Sequence, residues 1–155
     1  MLNRLQDVFG SLSRHEVWYV LIGGIAAVLH GVPRATFDLD VLIDPTPDNT
    51  KRLLAALAAA GLGTAALTST EEVLSNEITV FKDRLRIDVR TATPGLSFAD
   101  AWNRRVEMRY QGQAFFVASR ADLIASKRAS GRAVDLDDVR QLELANEAED
   151  EGDPP

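Results

Sequence analysis

Two aspartates, Asp38 and Asp40, stand two residues apart in the apolar segment F-D-L-D-V-L-I. If this segment is a β-strand, both side chains project from the same face, because successive side chains of a strand alternate. Two adjacent carboxylates repel each other unless a cation lies between them, and hard oxygen ligands at this spacing suit Mg²⁺. A D-x-D pair by itself is more often a solvent-facing part of a half-exposed strand. The residues upstream favour the metal site.

A glycine pair, Gly23-Gly24, follows the apolar segment W-Y-V-L-I and precedes a short helical pattern. A tight strand-to-helix turn uses the conformational freedom of glycine. The same turn brings backbone N–H groups and the positive end of a helix towards a phosphate. Acids for a metal and a cradle for a phosphate on neighbouring strands predict a phosphoryl- or nucleotidyl-transfer site.

Asp88 lies in the segment L-R-I-D-V-R, which has the alternation of a strand. Ile87 and Val89 fall on one face, and Asp88 falls on the other face with Arg86 and Arg90. This charged face has two interpretations. It is either a surface ladder of salt bridges, each worth little, or a third site acid with arginines that attract a triphosphate or an RNA backbone.

The whole pattern G-G-x-A-x-x-x-H-G-x-x-R-x-T-x-D-x-D resembles the signature of the nucleotidyltransferase superfamily, whose fold is shared with polymerase-beta-like enzymes. It is similar to the minimal nucleotidyltransferases of prokaryotic toxin–antitoxin systems, the AbiEii-type toxins among them. The residues that carry the resemblance are Gly23, Gly24, Ala26, His30, Gly31, Arg34, Thr36, Asp38 and Asp40.

The resemblance implies roles for particular residues. Asp38, Asp40 and Asp88 would hold two Mg²⁺ ions, and Asp88 would also accept the proton of an attacking hydroxyl. The family's helical Lys–Arg–Asp segment is matched by Lys127, Arg132 and Asp135, and Lys127 is expected to reach a triphosphate. The residues implied to bind the nucleoside triphosphate are Gly23, Gly24, Arg34, Thr36 and Lys127.

Each of these positions also has a plainer interpretation. Lys127 could be a solvated helix lysine, although it lies at the edge of the apolar stripe that contains Leu123 and Ile124. Arg34 could pair with an acid such as Asp38 or Asp44. His30 fits a packed or capping residue better than a base, and Asp135 fits a helix N-cap equally well.

The function implied is transfer of a nucleotide from an NTP, such as ATP, to an acceptor hydroxyl, with tRNA as the acceptor and the protein as one component of a toxin–antitoxin pair. Other acceptors stay open: a partner protein that is adenylylated, or an antibiotic-like small molecule. A protein of another class, a catalytically inactive nucleotide- or partner-binding module, is the further alternative. A tRNA would contact local arginines, for which the candidates are Arg84, Arg86, Arg90, Arg104, Arg105 and Arg109.

The elements that must position these residues predict an α+β fold, a mixed sheet with flanking helices and two helices at the C-terminus. The last helix is expected to begin at Asp135 and to end near Ala145. The other predicted helices cover residues 2–14, 25–30, 46–61, 97–105 and 119–130, with a short helix possible within 62–76. The predicted strands cover residues 18–22, 37–43, 78–81, 85–90, 106–110 and 114–117.

Length and composition predict one globular domain over residues 1–146, followed by an acidic, disordered tail over 147–155. The net charge of −6 comes from residues 141–155, which hold six acids and no Lys or Arg. The remaining 17 acids balance the 17 basic residues, so the body has no general attraction for nucleic acid. The absence of cysteine, of a signal-peptide pattern and of any membrane-length apolar run predicts a cytoplasmic protein without membrane partners.

Overall fold

The computed structural model describes residues 2–36 and 38–152, and it describes side chains between residues 5 and 146. Within these residues the chain forms seven α-helices, a 3₁₀ helix and a six-stranded sheet. The helices are α1 Leu2–Arg14, α2 Gly23–Leu29, α3 Pro47–Ala59, α4 Thr70–Leu74, α5 Phe98–Asn103, α6 Arg120–Ser130 and α7 Ala133–Gly152, and the 3₁₀ helix is Gly63–Leu67. The strands are β1 Tyr19–Ile22, β2 Asp38–Ile43, β3 Ile78–Lys82, β4 Arg86–Arg90, β5 Val106–Tyr110 and β6 Gln113–Val117.

The sheet has the order β3-β4-β2-β1-β6-β5 and is mixed. The central strands β1 and β2 are antiparallel, while β2·β4 and β1·β6 are parallel pairs. Two hairpin partners, β3 and β5, form the outer strands. The predicted α+β class with a mixed sheet and two C-terminal helices is confirmed.

The faces of the two acid-bearing strands divide as their alternation predicts. Leu39 and Val41 of β2 and Ile87 and Val89 of β4 are at most 2% exposed. They belong to one continuous core, in which Phe9 of α1 stacks on a phenylalanine of β6 with ring centroids 4.4 Å apart. Burial of these apolar side chains fixes which face of each strand is left for polar residues.

Local capping signals explain where several helices begin. Thr46 accepts a hydrogen bond from the Asn49 backbone N–H, and Pro47 occupies the first turn of α3. Ser119 accepts one from Asp122 N–H at the start of α6, which Gly131 ends with a φ of +71°. The short helix allowed within 62–76 exists as α4, opened by a Ser69–Glu72 capping box.

Some predicted boundaries are wrong. Helix α7 begins at Ala133, so Asp135 lies inside its first turn and is not its N-cap. The helix also continues past Ala145 to Gly152, because alanine and glutamate favour helix and no glycine or proline interrupts them before Gly152. Helix α2 begins at Gly23 and not at Ile25. The predicted first residue of β2, at position 37, lies outside the described residues, as do residues 153–155.

Candidate active site

The three predicted site acids face one cleft. Strands β2 and β4 run parallel with Asp40 opposite Asp88, and Asp38 precedes Asp40 by two residues on the same face. All three line a cleft of about 720 Å³. Asp40 and Asp88 have side chains only 17% and 11% exposed, whereas the Asp38 side chain is 47% exposed. The pairing of β2 with β4 therefore places Asp88 on the predicted face.

The glycine pair packs against polar side chains of the cleft. Gly23 has a φ of +73°, and a Cβ added to it would collide with Asp40 Oδ2. A Cβ on Gly24 would lie 2.9 Å from both Arg34 Nη2 and Thr36 Oγ1. The positive φ and the contact with Asp40 require glycine at position 23, and a side chain at position 24 would displace Arg34 and Thr36. These contacts bring Gly23, Gly24, Arg34 and Thr36 to the same cleft as the acids.

An ion-pair network around a buried carboxylate lies beside the cleft, and two of its three members line the cleft. Lys127 of α6 is 5% exposed and donates from Nζ to Asp138 Oδ2 at 2.8 Å. Arg34 donates from Nη2 to the same oxygen, also at 2.8 Å. Asp138 of α7 is 1% exposed, so this one carboxylate joins α6, α7 and the loop before β2. We name Lys127, Asp138 and Arg34 the buried network.

The observed partners of Lys127, Arg34 and His30 distinguish between the interpretations offered for each. Lys127 is a buried, ion-paired residue and not a solvated helix lysine, although its side chain still lines the cleft. Arg34 does pair with an acid, but the acid is Asp138 and neither Asp38 nor Asp44. His30 is a packed residue that lies 2.8 Å from the Ala118 carbonyl oxygen through Nε2.

Asp135 sits beside this network in the first turn of α7. It accepts hydrogen bonds from Ser130 Oγ at 2.9 Å and from Arg132 Nε at 2.7 Å, and Lys127 Nζ lies 3.6 Å from its Oδ1. Burial by itself would raise the pKa of Asp135, but the hydrogen bonds from Arg132 and Ser130 outweigh it and the pKa is lowered. Asp135 is therefore held ionised by its neighbours.

The acids themselves are paired with the arginines of β4. Arg90 Nε donates to Asp40 Oδ1 at 3.2 Å, and Arg86 Nε donates to Asp88 Oδ1 at 3.0 Å. Arg86 Nε also lies 3.9 Å from Asp38 Oδ2. Burial raises the pKa of Asp40; Arg90 opposes that rise, and the nearby charges of Asp88 and Asp38 add to it. We name these three acids and two arginines the cleft-floor network.

No metal-binding group is assembled among the described residues: no three or more His, Asp or Glu side chains are close enough as they stand to hold one metal ion.

The arginines proposed for tRNA fall into two separate groups. Arg86 and Arg90 lie on β4 next to one edge of the sheet, while Arg109 lies on β5 at the opposite edge, after Arg104 and Arg105.

The arginines at the β5 edge have other partners. Arg104 Nη2 forms an ion pair with Asp122 Oδ1 at 2.8 Å, and the Arg105 guanidinium lies 3.8 Å from the centroid of the Trp102 ring. Strands β2, β1 and β6 separate β5 from β4, so the two groups of arginines do not form one basic surface. The candidate arginines for tRNA therefore lie at two separate places on the sheet.

Sequence reasoning missed the central role of Asp138. The available signal was the spacing of Asp135 and Asp138, because residues three apart lie on the same face of a helix. That face of α7 turns two carboxylates towards Lys127.

Comparison with known proteins adds the family. No curated protein matches the chain. Among the described residues, no helix is both long and apolar enough to cross a membrane. Residues 2–151 match a family described as "Nucleotidyltransferase of unknown function (DUF6036)". The match covers nearly the whole chain and agrees with the superfamily that the glycine and aspartate pattern resembles, so the protein belongs to this family of nucleotidyltransferases.

Proposed function

We propose that the protein transfers a nucleoside monophosphate from an NTP to an acceptor hydroxyl, with release of pyrophosphate. One observation carries this proposal: Asp38, Asp40 and Asp88 face the same cleft as the Gly23-Gly24 turn, with Gly23 in contact with Asp40. Family membership supports nucleotidyl transfer in general. The nucleotide, the metal and the acceptor are parts of the proposal.

The donor set fits Mg²⁺ in its chemistry, because it consists of three hard carboxylate ligands on adjacent strands. We propose that Asp38, Asp40 and Asp88 hold two such ions. Mg²⁺ bound there would neutralise charge on the transferring phosphoryl group and orient it. The carboxylates must first exchange their arginine partners for the metal, since Arg86 and Arg90 now bond to them.

The remaining residues bind and orient the nucleotide. The Gly23-Gly24 turn lines the cleft, and its backbone N–H groups are proposed to contact phosphate oxygens. Thr36 and Arg34 lie beside Gly24, and Lys127 adds positive charge from the wall of the cleft. Asp88 is the residue proposed to accept the proton of the acceptor hydroxyl. Catalysis is then mainly positioning and charge neutralisation.

The proposed acceptor is tRNA, with the protein as a component of a toxin–antitoxin system of the AbiEii type. The support for this is the resemblance of the glycine, arginine, threonine and aspartate pattern. The arginines that face the cleft from β4, Arg86 and Arg90, are the ones available to an RNA near the acids. Adenylylation of a partner protein and nucleotidylation of a small molecule are the alternative acceptors.

A second candidate function is a catalytically inactive module that binds a nucleotide or a partner. The ion pairs between the acids and the arginines favour it, because paired carboxylates can serve to hold the strands together without any metal. In such a protein the cleft would bind an NTP without transferring it.

Incubation with α-³²P-labelled ATP, CTP, GTP or UTP, Mg²⁺ and total tRNA distinguishes these functions. Label at the 3′ end of tRNA is the expected result. Label on a co-purified protein or on a small molecule would instead identify the alternative acceptors. NTP binding without transfer would favour the inactive module. The D40N variant, which removes a carboxylate from the cleft, serves as the negative control.

A further inference from the structure

A metal bound by the cleft acids would free some of the cationic side chains of the cleft and leave others paired. Lys127 and Arg34 bond to Asp138, which is 1% exposed and is not one of the proposed metal ligands. Arg86 and Arg90 bond to the proposed ligands themselves. A metal that takes the three carboxylates would therefore release Arg86 and Arg90 and leave the buried network intact.

The position of these two arginines follows from strand β4. Arg86, Asp88 and Arg90 alternate along the strand and share its cleft face. Arg86 bonds to Asp88 with two nitrogens, Nε at 3.0 Å and Nη2 at 3.4 Å, and reaches towards Asp38. Arg90 crosses to Asp40 on the neighbouring strand. Two guanidinium groups thus counter three carboxylates.

We propose that Arg86 and Arg90 neutralise the carboxylates of the metal-free protein and bind phosphate oxygens of the nucleotide once metal has replaced them. The inference rests on the proposed function, and what it adds is the exchange of both arginines from the carboxylates to the triphosphate. It assigns them the phosphate contacts that Lys127, fixed between Asp135 and Asp138, is less free to make.

Physical chemistry supports the exchange. Carboxylates that face each other without a counterion repel, and burial in the cleft increases the cost. A guanidinium removes that cost in the absence of metal, so it also competes with metal for the same oxygens. Its five donors in a planar fork suit phosphate as well as carboxylate. The Arg86 and Arg90 side chains remain 43% and 24% exposed, which leaves room to turn.

The exchange predicts opposite effects on two ligands. Mn²⁺ alone, titrated calorimetrically, should bind R86Q and R90Q about tenfold more tightly than wild type, because a competing charge is gone. The Mg²⁺ complex of α,β-methylene-ATP should bind both variants about tenfold more weakly, because a charge-assisted phosphate contact is lost. R90K should recover part of the nucleotide affinity, because it restores the charge without the planar fork.

The control is R109Q, which removes the same charge from β5 at the far edge of the sheet. It should bind both probes as wild type does. Melting curves in EDTA show which variants are folded. If R90Q unfolds, R86Q, whose side chain is more exposed, carries the Mn²⁺ test, and R86Q and R90K carry the nucleotide test.

The outcomes separate the inference from the function on which it rests. Folded R86Q and R90Q that bind Mn²⁺ no more tightly than wild type would overturn the exchange alone, and if R90Q is unfolded, R86Q by itself decides this point. Unchanged affinity for the nucleotide complex would do the same. Wild-type protein that binds neither Mn²⁺ nor the nucleotide complex would overturn the proposed function and the exchange together.

Discussion

The buried network and the cleft-floor network use the same kinds of side chain in different surroundings. Asp138 of the buried network is 1% exposed and bonds to two cations that come from other elements. The cleft-floor acids lie on β2 and β4 and bond to two arginines of β4. The Asp38 side chain is 47% exposed, and those of Asp40 and Asp88 are 17% and 11% exposed. A buried charge that loses its partner is costly, and the cost falls as solvent reaches the pair. Asp138 is almost fully enclosed, whereas the pairs of the cleft floor open onto the cleft. The first network therefore fixes the fold, and the second is available for ligands.

The largest effect should come from breaking the buried network. Asp138→Ala leaves Lys127 with only the longer contact to Asp135, so we expect a loss of about 3 kcal/mol in the free energy of unfolding. Urea denaturation of both proteins measures this. Asp137→Ala is the matched control, because its exposed side chain pairs only with Arg140 among the described residues and should cost less than about 1 kcal/mol. Equal losses of unfolding free energy in the two variants would show that the buried ion pairs of Asp138 stabilise the fold no more than the exposed pair of Asp137.

A change at the glycine turn should have the next largest effect. Gly23→Ala requires a Cβ at a φ of +73° and against Asp40 Oδ2, so we expect a loss of about 2 kcal/mol and no nucleotide binding. Thermal unfolding with and without Mg²⁺ and ATP measures both effects. Gly63→Ala has open space around its Cβ and serves as the control. Gly23→Ala with wild-type nucleotide binding would remove the turn from the site.

Asp135, which lies 3.6 Å from Lys127 of the buried network, should make part of the protein's stability depend on pH. Its pKa is lowered in the folded protein, so its contribution to stability is present above the unfolded-state pKa near 3.8 and is lost as the pH falls through the folded-state pKa. Asp135→Asn should therefore cost about 1–2 kcal/mol at pH 7 and progressively less below about pH 4. Denaturation of both proteins across this range measures the difference. A cost independent of pH would mean that the charge of Asp135 does not matter.

The smallest effect concerns the arginines at the β5 edge. Arg105→Ala removes a cation stacked on Trp102 and should cost about 0.5–1 kcal/mol in stability. Because this edge is remote from the acids, nucleotide binding should not change, and neither should any salt dependence of tRNA binding. Binding titrations at several salt concentrations test this. A flatter salt dependence in Arg105→Ala would show that RNA reaches both edges of the sheet.

Local sequence determined much of the fold and part of the site. The shared face of Asp38 and Asp40 follows from strand alternation, which burial of Leu39 and Val41 enforces. The starts of α3 and α6 follow from capping side chains that bond within three residues. These features were predictable because each depends on neighbours along the chain.

Tertiary structure alone decided which charges meet. Arg34 pairs with Asp138, 104 residues away, and Asp40 lies beside Asp88 because β2 and β4 pair in parallel. The burial of Lys127 and the separation of the two arginine groups likewise depend on helix packing and strand order. A sequence pattern shows that a side chain is charged and which face it shares. It does not show which distant partner desolvates it, and that partner determines whether the charge stabilises the fold or remains available to a ligand.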